Sequence, residues 1–242
     1  MAVNVFRLAD AGRRSWRSIG GWLLPATCLV CGAKGEHGQD LCALCRRQLA
    51  INRCGCRRCG IPLAEPAAEC GRCLRRPPAF DSTLAPLVYG FPVDRLLPRF
   101  KFHGDLAAGR LLADTLSTAA SAAPGARPAA LIPVPLHRER LRERGYNQAL
   151  ELARPTSRRL GIPLLLDSLE RVRSTRAQSE LGALERRRNV RGAFVVCARK
   201  IPDHVALVDD VMTTGATLAE CARVLKRAGV GRVDVWVVAR AP

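Results

Sequence analysis

The sequence predicts an α/β protein built on a parallel sheet, with a small cysteine-rich module ahead of it. Three observations carry this expectation. Apolar runs such as Val205-Ala206-Leu207-Val208 lack polar alternation, which marks strands buried on both faces. Such runs alternate with stretches of helical spacing through the second half of the chain. Nine of the eleven cysteines lie between residues 28 and 73, most in Cys-x-x-Cys pairs.

The 242 residues admit one large domain or a core domain with an appendage, and 48% hydrophobic content is ample for a core. No apolar run reaches the roughly 18 residues of a membrane span. The formal net charge of +18 and pI of about 10.6 favour anionic partners: nucleic acid, nucleotides, phosphates or an acidic membrane surface. Arginine supplies nearly all of that charge, with lysine only at 34, 101, 200 and 226, so codon bias is an alternative source.

Residues 1–25 read as a basic amphipathic helix with Phe6, Trp16, Ile19, Trp22 and Leu23 as apolar anchors, ended by Pro25. It suits a membrane surface, a partner, or packing on the cysteine-rich module. No secretion signal is recognisable, so the expected setting is the cytoplasm, with the inner face of the membrane as an alternative.

Residues 26–76 contain an internal repeat. Cys28-x-x-Cys31 and Cys42-x-x-Cys45 enclose ten residues, and Cys56-x-x-Cys59 and Cys70-x-x-Cys73 repeat that pattern 28 positions later. Gly32 and Gly60 follow a knuckle in each copy, where a tight turn needs positive φ. Two four-cysteine zinc ribbons in tandem follow, each with a closed thiolate shell and so a structural ion. Cys54 breaks the repeat and competes with Cys56 as a ligand. Interleaved pairing of the first knuckle with the third, and a disulfide framework, are the alternatives.

Arg75-Arg76-Pro77-Pro78 marks a boundary, and residues 80–242 form the α/β domain. Strands are expected at Leu84–Tyr89, Ala129–Val134, Leu164–Leu169, Phe194–Cys197, Val205–Val208 and Val233–Val238. Helical spacing covers Asp94 to about Ala119, interrupted or not by Phe100–Asp105, and runs from His137 to about Leu160, where Pro155 should kink or break it. Leu181–Arg188 and Leu218–Gly229 are the remaining helices.

The stretch with most chemistry is Val205 to Leu218. An apolar strand ends in Asp209 and Asp210, then Thr213-Thr214-Gly215-Ala216-Thr217 turns into a helix. Backbone N–H groups and hydroxyls in such a turn suit an anion, helped by the helix dipole. Two carboxylates suit sugar hydroxyls, so a ribose 5-phosphate is the natural ligand at the carboxyl end of the sheet. This stretch resembles the PRPP-binding loop of type I phosphoribosyltransferases. The resemblance implies that the acids hold the ribose 2′ and 3′ hydroxyls while the turn wraps the 5′-phosphate, with Mg²⁺ accompanying PRPP.

The basic stretches 138–144 and 171–191 supply a second constellation. Lys101, Arg138, Arg144, Asn147, Gln148, Arg171, Arg173 and Gln178 are the candidates for contacts to pyrophosphate or to a nucleic-acid backbone, with Tyr146 or Phe102 available for stacking. A solvated charged face is the bland alternative.

The whole chain resembles the ComF family of competence-associated proteins. The resemblance rests on Leu24-Pro25 leading into Cys28-x-x-Cys31, the double ribbon, Lys101 with Gly104, and Pro133-Val134-Pro135. It continues through Arg144-Gly145-Tyr146-Asn147-Gln148, Arg171 to Gln178, Arg187-x-Asn189-Val190 with Phe194, and Asp209 to Thr217. It implies a type I phosphoribosyltransferase fold with an N-terminal zinc module and a role in handling single-stranded DNA during natural transformation. It leaves open whether PRPP is turned over. An active phosphoribosyltransferase with an unidentified acceptor, and a zinc scaffold for a helicase or membrane partner, are the competing expectations.

Overall fold

The structure, a computed structural model, describes residues 26–36, 38–174 and 189–242. The N-terminal helix expected over 1–25, the helix expected over 181–188, and Gln178 lie outside the described residues. The chain divides into two compact units, Met1–Gln48 and Leu49–Pro242.

In the first unit, Gly32 at φ +76 lets its N–H reach the Cys28 carbonyl at 2.9 Å, which closes the knuckle. Helix α1 (Ala43–Arg47) starts at Cys42, whose sulfur accepts from the Cys45 N–H at 3.5 Å. Leu41 is fully buried beside the cysteines.

The second unit opens on the other ribbon. Gly60 at φ +68 donates to the Cys56 carbonyl at 2.7 Å, the same closure as at Gly32, and α2 (Gly71–Arg75) carries Cys73. This ribbon packs into the α/β body: Cys56, Cys59 and Cys73 share one buried cluster with Val205, Val235 and Val237. Three further bonds tie it down. Thr83 donates its N–H to the Arg57 carbonyl at 2.9 Å and its hydroxyl to the Arg58 carbonyl at 2.6 Å. Arg240, 2% exposed, donates to the Cys59 carbonyl at 2.9 Å.

The main sheet is parallel throughout. It contains β1 (Ser82–Leu84), β2 (Leu87–Val88), β3 (Ala130–Pro133), β6 (His204–Met212) and β7 (Arg232–Arg240), in the order β1-β7-β6-β3, with β2 continuing beyond β1 along β7. Val205 to Val208 are completely buried between β3 and β7, as the unbroken apolar run requires. Strand β6 runs further than its apolar residues: it passes through the acid pair and ends at Met212, because β7 keeps pairing with it as far as Arg240.

Other expectations are revised. The strand expected at Phe194–Cys197 exists as β5 (Phe194–Val196), but it pairs antiparallel with β4 (Leu169–Arg171) in a separate two-stranded sheet. Of the strand expected over Leu164–Leu169, only Leu164 bridges to Leu131, and Leu169 belongs to β4. The long helical stretch after Asp94 is two helices, α3 (Val93–Phe102) and α4 (Leu106–Ala122). They break at Gly104 (φ +64), and the Asp105 carboxylate caps α4 by accepting from Ala107 and Ala108 N–H. The region after His137 is also two helices, α5 (Arg138–Arg144) and α6 (Gln148–Leu160), separated by Gly145 at φ +81. Pro155 does not end α6. The buried face of Ala149, Leu152, Ala153 and Thr156 packs on α4, β3 and β6, and that burial outweighs one lost backbone bond.

Helix α7 (Ala216–Arg227) crosses from β6 to β7 and starts two residues earlier than its spacing implies. Among the described residues, no helix is long and apolar enough to cross a membrane.

Candidate ligand cleft and metal centres

An open cleft of about 440 Å³ lies at the carboxyl ends of β3 and β6, where parallel α/β sheets bind ligands. Its polar lining comes chiefly from Lys101 on α3, Val134 to Gln148, Arg171, and Asp209 to Thr217, with Tyr89 and Ala241 also at its wall. Asp209 and Asp210 follow each other on β6. Asp210, 5% exposed, receives Lys101 Nζ on Oδ2 at 2.9 Å and the Val211 N–H on Oδ1 at 2.6 Å. Asp209 Oδ1 accepts the Asp210 N–H at 2.9 Å.

These contacts set the charges. Burial is the largest single influence on the Lys101 ammonium and opposes it, but the Asp210 charge, its hydrogen bond and the Asp209 charge together outweigh it and raise the Lys101 pKa. Burial and the adjacent Asp210 carboxylate push Asp209 up to about 7. The pair therefore holds one carboxylate committed to Lys101 and one poised near neutrality.

The turn after β6 divides between two spaces. Thr213 and Thr217 line this cleft, whereas Thr214, Gly215 and Ala216 line a neighbouring one. Gly215 sits at φ +74, and a Cβ there would lie 3.2 Å from Met212 Sδ, so the turn needs glycine. The Thr214 hydroxyl accepts the Ala216 N–H at 3.3 Å and caps the start of α7.

The candidate basic residues separate in the same way. Arg144 and Arg171 line the cleft, each with its guanidinium 5.5 Å from an aromatic ring, Phe102 and Phe194 respectively. Burial lowers the pKa of both. Arg138 is 79% exposed and pairs with Glu170 at 3.0 Å, and the exposed Arg173 donates to the Arg191 carbonyl at 2.9 Å; neither lines the cleft. Asn147 lines it but uses its amide to build the wall, donating to the Val134 carbonyl and accepting from the Ala149 N–H. Gln148 is 3% exposed, and its Nε2 donor has no partner among the described residues. Of the stacking candidates, Phe102 is 70% exposed beneath Arg144, while the Tyr146 ring packs 5.7 Å from Phe100.

Arg140 belongs to this constellation although its sequence position did not single it out. The available signal was its spacing four residues before Arg144, which puts both on one face of α5. Arg240 was also missed. It donates to the Met212 carbonyl at 3.1 Å as well as to Cys59, and so joins the second knuckle to the end of β6.

The cysteines form two groups in which all four sulfurs lie within 4.8 Å of one another: Cys28, Cys31, Cys42 and Cys45, then Cys56, Cys59, Cys70 and Cys73. All eleven cysteines are free, which rules out the disulfide framework, and the grouping is sequential rather than interleaved. Cys54 is exposed and belongs to neither group. The Cys31–Cys42 and Cys59–Cys70 sulfurs are 3.7 Å apart, and ligands about 2.3 Å from a tetrahedral Zn²⁺ lie about 3.8 Å from each other. Against the effect of burial, backbone N–H donors hold Cys28 down at about 6, and the Cys73 N–H with the neighbouring thiols holds Cys70 at about 7. Burial and neighbouring thiols raise Cys45 and Cys73. Four thiolates at this spacing require a cation between them, and both groups fit structural zinc.

Competence protein F of Haemophilus influenzae is 40% identical over 209 residues, covering 83% of this chain and 90% of that protein. The chain belongs to the ComF family. Other ComF-like relatives span both of its parts. DNA utilization protein YhgH of Salmonella typhimurium is 35% identical over 90% of this chain and 98% of its own. Competence protein ComFC of Bacillus subtilis is 28% identical over 87% and 92%. The family model described as a double zinc ribbon domain matches residues 19–74, which contain both cysteine groups.

Proposed function

We propose that this ComF-family chain binds PRPP or another ribose 5-phosphate in the cleft beside Asp209 and Asp210, and handles single-stranded DNA during DNA uptake. The observation that carries the first half is the convergence of the acid pair, Lys101, Arg140, Arg144, Arg171, Thr213 and Thr217 on one cleft. Ribose hydroxyls donate to carboxylates, phosphate oxygens accept from arginine and hydroxyl groups, and Gln148 Nε2 offers a further buried donor. Mg²⁺ belongs to the same reading: it takes oxygen ligands, and Asp209 is the carboxylate left over once Asp210 has paired with Lys101. Most of its shell would come from the diphosphate and water.

The names of the relatives, competence protein and DNA utilization protein, support the second half together with the +18 charge. The setting this implies is the cytoplasm, where the zinc thiolates stay reduced. Helicase and membrane-surface partners remain expectations of the same reading.

Calorimetric titration of the zinc-loaded chain with PRPP and Mg²⁺ tests the pocket. Binding that Asp210→Asn abolishes supports it; absence of binding by the parent chain removes its basis.

Turnover is the second reading, favoured by the arginines facing the acid pair. Breaking the bond between ribose C1 and the pyrophosphate oxygen leaves negative charge on the leaving group, which Arg140, Arg144 and Arg171 would stabilise. Pyrophosphate release from PRPP in the presence of candidate amine or base acceptors measures it.

A further inference from the structure

On the other side of the Met212–Thr217 turn lies a second cleft, of about 600 Å³. One wall is the Cys59 and Cys73 knuckle region running into Pro77 and Pro78; the other is the start and exposed flank of α7. Among the described residues, five guanidinium groups line it: Arg72 and Arg76 from the ribbon, Arg191 from the segment before β5, and Arg223 and Arg227 from α7. They come from three separate parts of the chain, so their convergence is not the periodicity of a single helix.

Among the described residues the cleft has one carboxylate, Glu220, and it is already engaged. It accepts from Arg223 Nε at 2.8 Å and from the Gly192 N–H at 2.7 Å, contacts that hold its pKa below the usual range. Arg72, Arg76, Arg191 and Arg227 are all exposed, and no second acid among the described residues lines the space. A concave site with this surplus of cations concentrates anions.

The form of the anion follows from the form of the site. A free phosphate can engage two or three guanidiniums, whereas cations spread along a cleft match a ligand with repeated charges, as in a phosphodiester chain. The aromatic residue at the cleft, Phe80, is 2% exposed and offers no stacking face. Recognition is therefore of phosphates and not of bases.

We propose that this arginine cleft between the second zinc knuckle and α7 grips single-stranded nucleic acid by its phosphates, without base preference. The proposal rests on the DNA-handling reading above and assigns it a surface distinct from the sugar-phosphate cleft; the two share only the turn between them.

The test is fluorescence anisotropy of the full zinc-loaded chain with labelled oligothymidylate and with a mixed-sequence strand, across a salt series. The parent is compared with Arg72→Ala/Arg76→Ala/Arg191→Ala/Arg227→Ala and with Arg110→Ala/Arg127→Ala/Arg158→Ala/Arg159→Ala, which removes the same charge elsewhere. The cleft variant is expected to bind at least about tenfold more weakly, with a log–log salt slope shallower by about 2 to 3, since each phosphate contact on a single strand contributes roughly 0.7. The control should stay within about twofold of the parent. Equal losses in both variants, unchanged binding by the cleft variant, or a strong base preference in the parent would overturn the assignment while leaving DNA handling intact. No binding by the parent removes the DNA-handling reading and the cleft with it. Zinc content and melting temperature verify folding. If the fourfold variant does not fold, Arg191→Ala/Arg227→Ala leaves the knuckle untouched and should lose about half of that slope change.

Discussion

Lys101 Nζ and Asp210 Oδ2 lie 2.9 Å apart, with side chains 23% and 8% exposed, and join the last turn of α3 to the end of β6. The pair fixes one member of the acid doublet and leaves the other to respond to a ligand. Removing only the cation strands a buried carboxylate. Lys101→Met should destabilise the chain by about 3 kcal/mol, and the further change Asp210→Asn should recover most of that loss. Urea unfolding of the zinc-loaded proteins measures both steps.

Asp209 gives the cleft a pH dependence. Its folded pKa is raised from 3.8 to about 7, so the folded chain holds a proton that the unfolded chain has already released. Its contribution to stability is therefore greatest at acid pH and is lost as pH rises toward 7. Asp209→Asn removes that loss. The gap in melting temperature between variant and parent should widen from about pH 4 to about pH 7, in favour of the variant, and then stay constant. A gap that narrows over this range would contradict the assignment.

The two metal centres should differ in what they support. Cys56, Cys59 and Cys73 belong to the core of the α/β body, and Arg240 ties the Cys59 carbonyl to Met212. The other four cysteines belong to the unit ending at Gln48. Both Cys45→Ser and Cys73→Ser should reduce zinc content from about two ions per chain toward one. Only Cys73→Ser should lower the melting temperature of the α/β body, by on the order of 10 °C. Metal analysis and circular-dichroism melting read the two effects.

Gly215 is the tightest point of the turn. Ala at φ +74 costs about 1 kcal/mol, and its Cβ would press on Met212 Sδ at 3.2 Å. Gly215→Ala should lower stability by about that amount, measured by urea unfolding, and weaken PRPP binding by more than the stability change alone explains. Calorimetry at a temperature where the variant is fully folded separates the two.

Much of this was legible in the residues themselves. The repeat of four cysteines at a constant offset determined four thiolate knuckles, because each Cys-x-x-Cys turn presents two thiolates locally, whereas the sequential rather than interleaved pairing of those knuckles came from the folded chain. The run Val205 to Val208 determined a strand buried on both faces, because only a two-sided apolar environment tolerates it. The motif Asp209 to Thr217 marked a polar turn between strand and helix. Those are short-range properties of backbone and burial.

The tertiary structure decided what depends on distant partners. Strand β6 continues through Asp209 and Asp210 because β7 supplies bonding groups up to Arg240, which no local pattern in β6 reveals. Arg138 and Arg140 are two residues apart, yet one pairs with Glu170 at the surface and the other faces the cleft, since successive helical positions point in different directions. The Thr213–Thr217 turn looked like one cradle but serves two clefts, because walls from the ribbon and from α5 approach it on different sides. The partner of Asp210 is a lysine from the other end of the domain. Sequence periodicity reports which face of an element is buried; it carries no record of which remote side chain will meet that face.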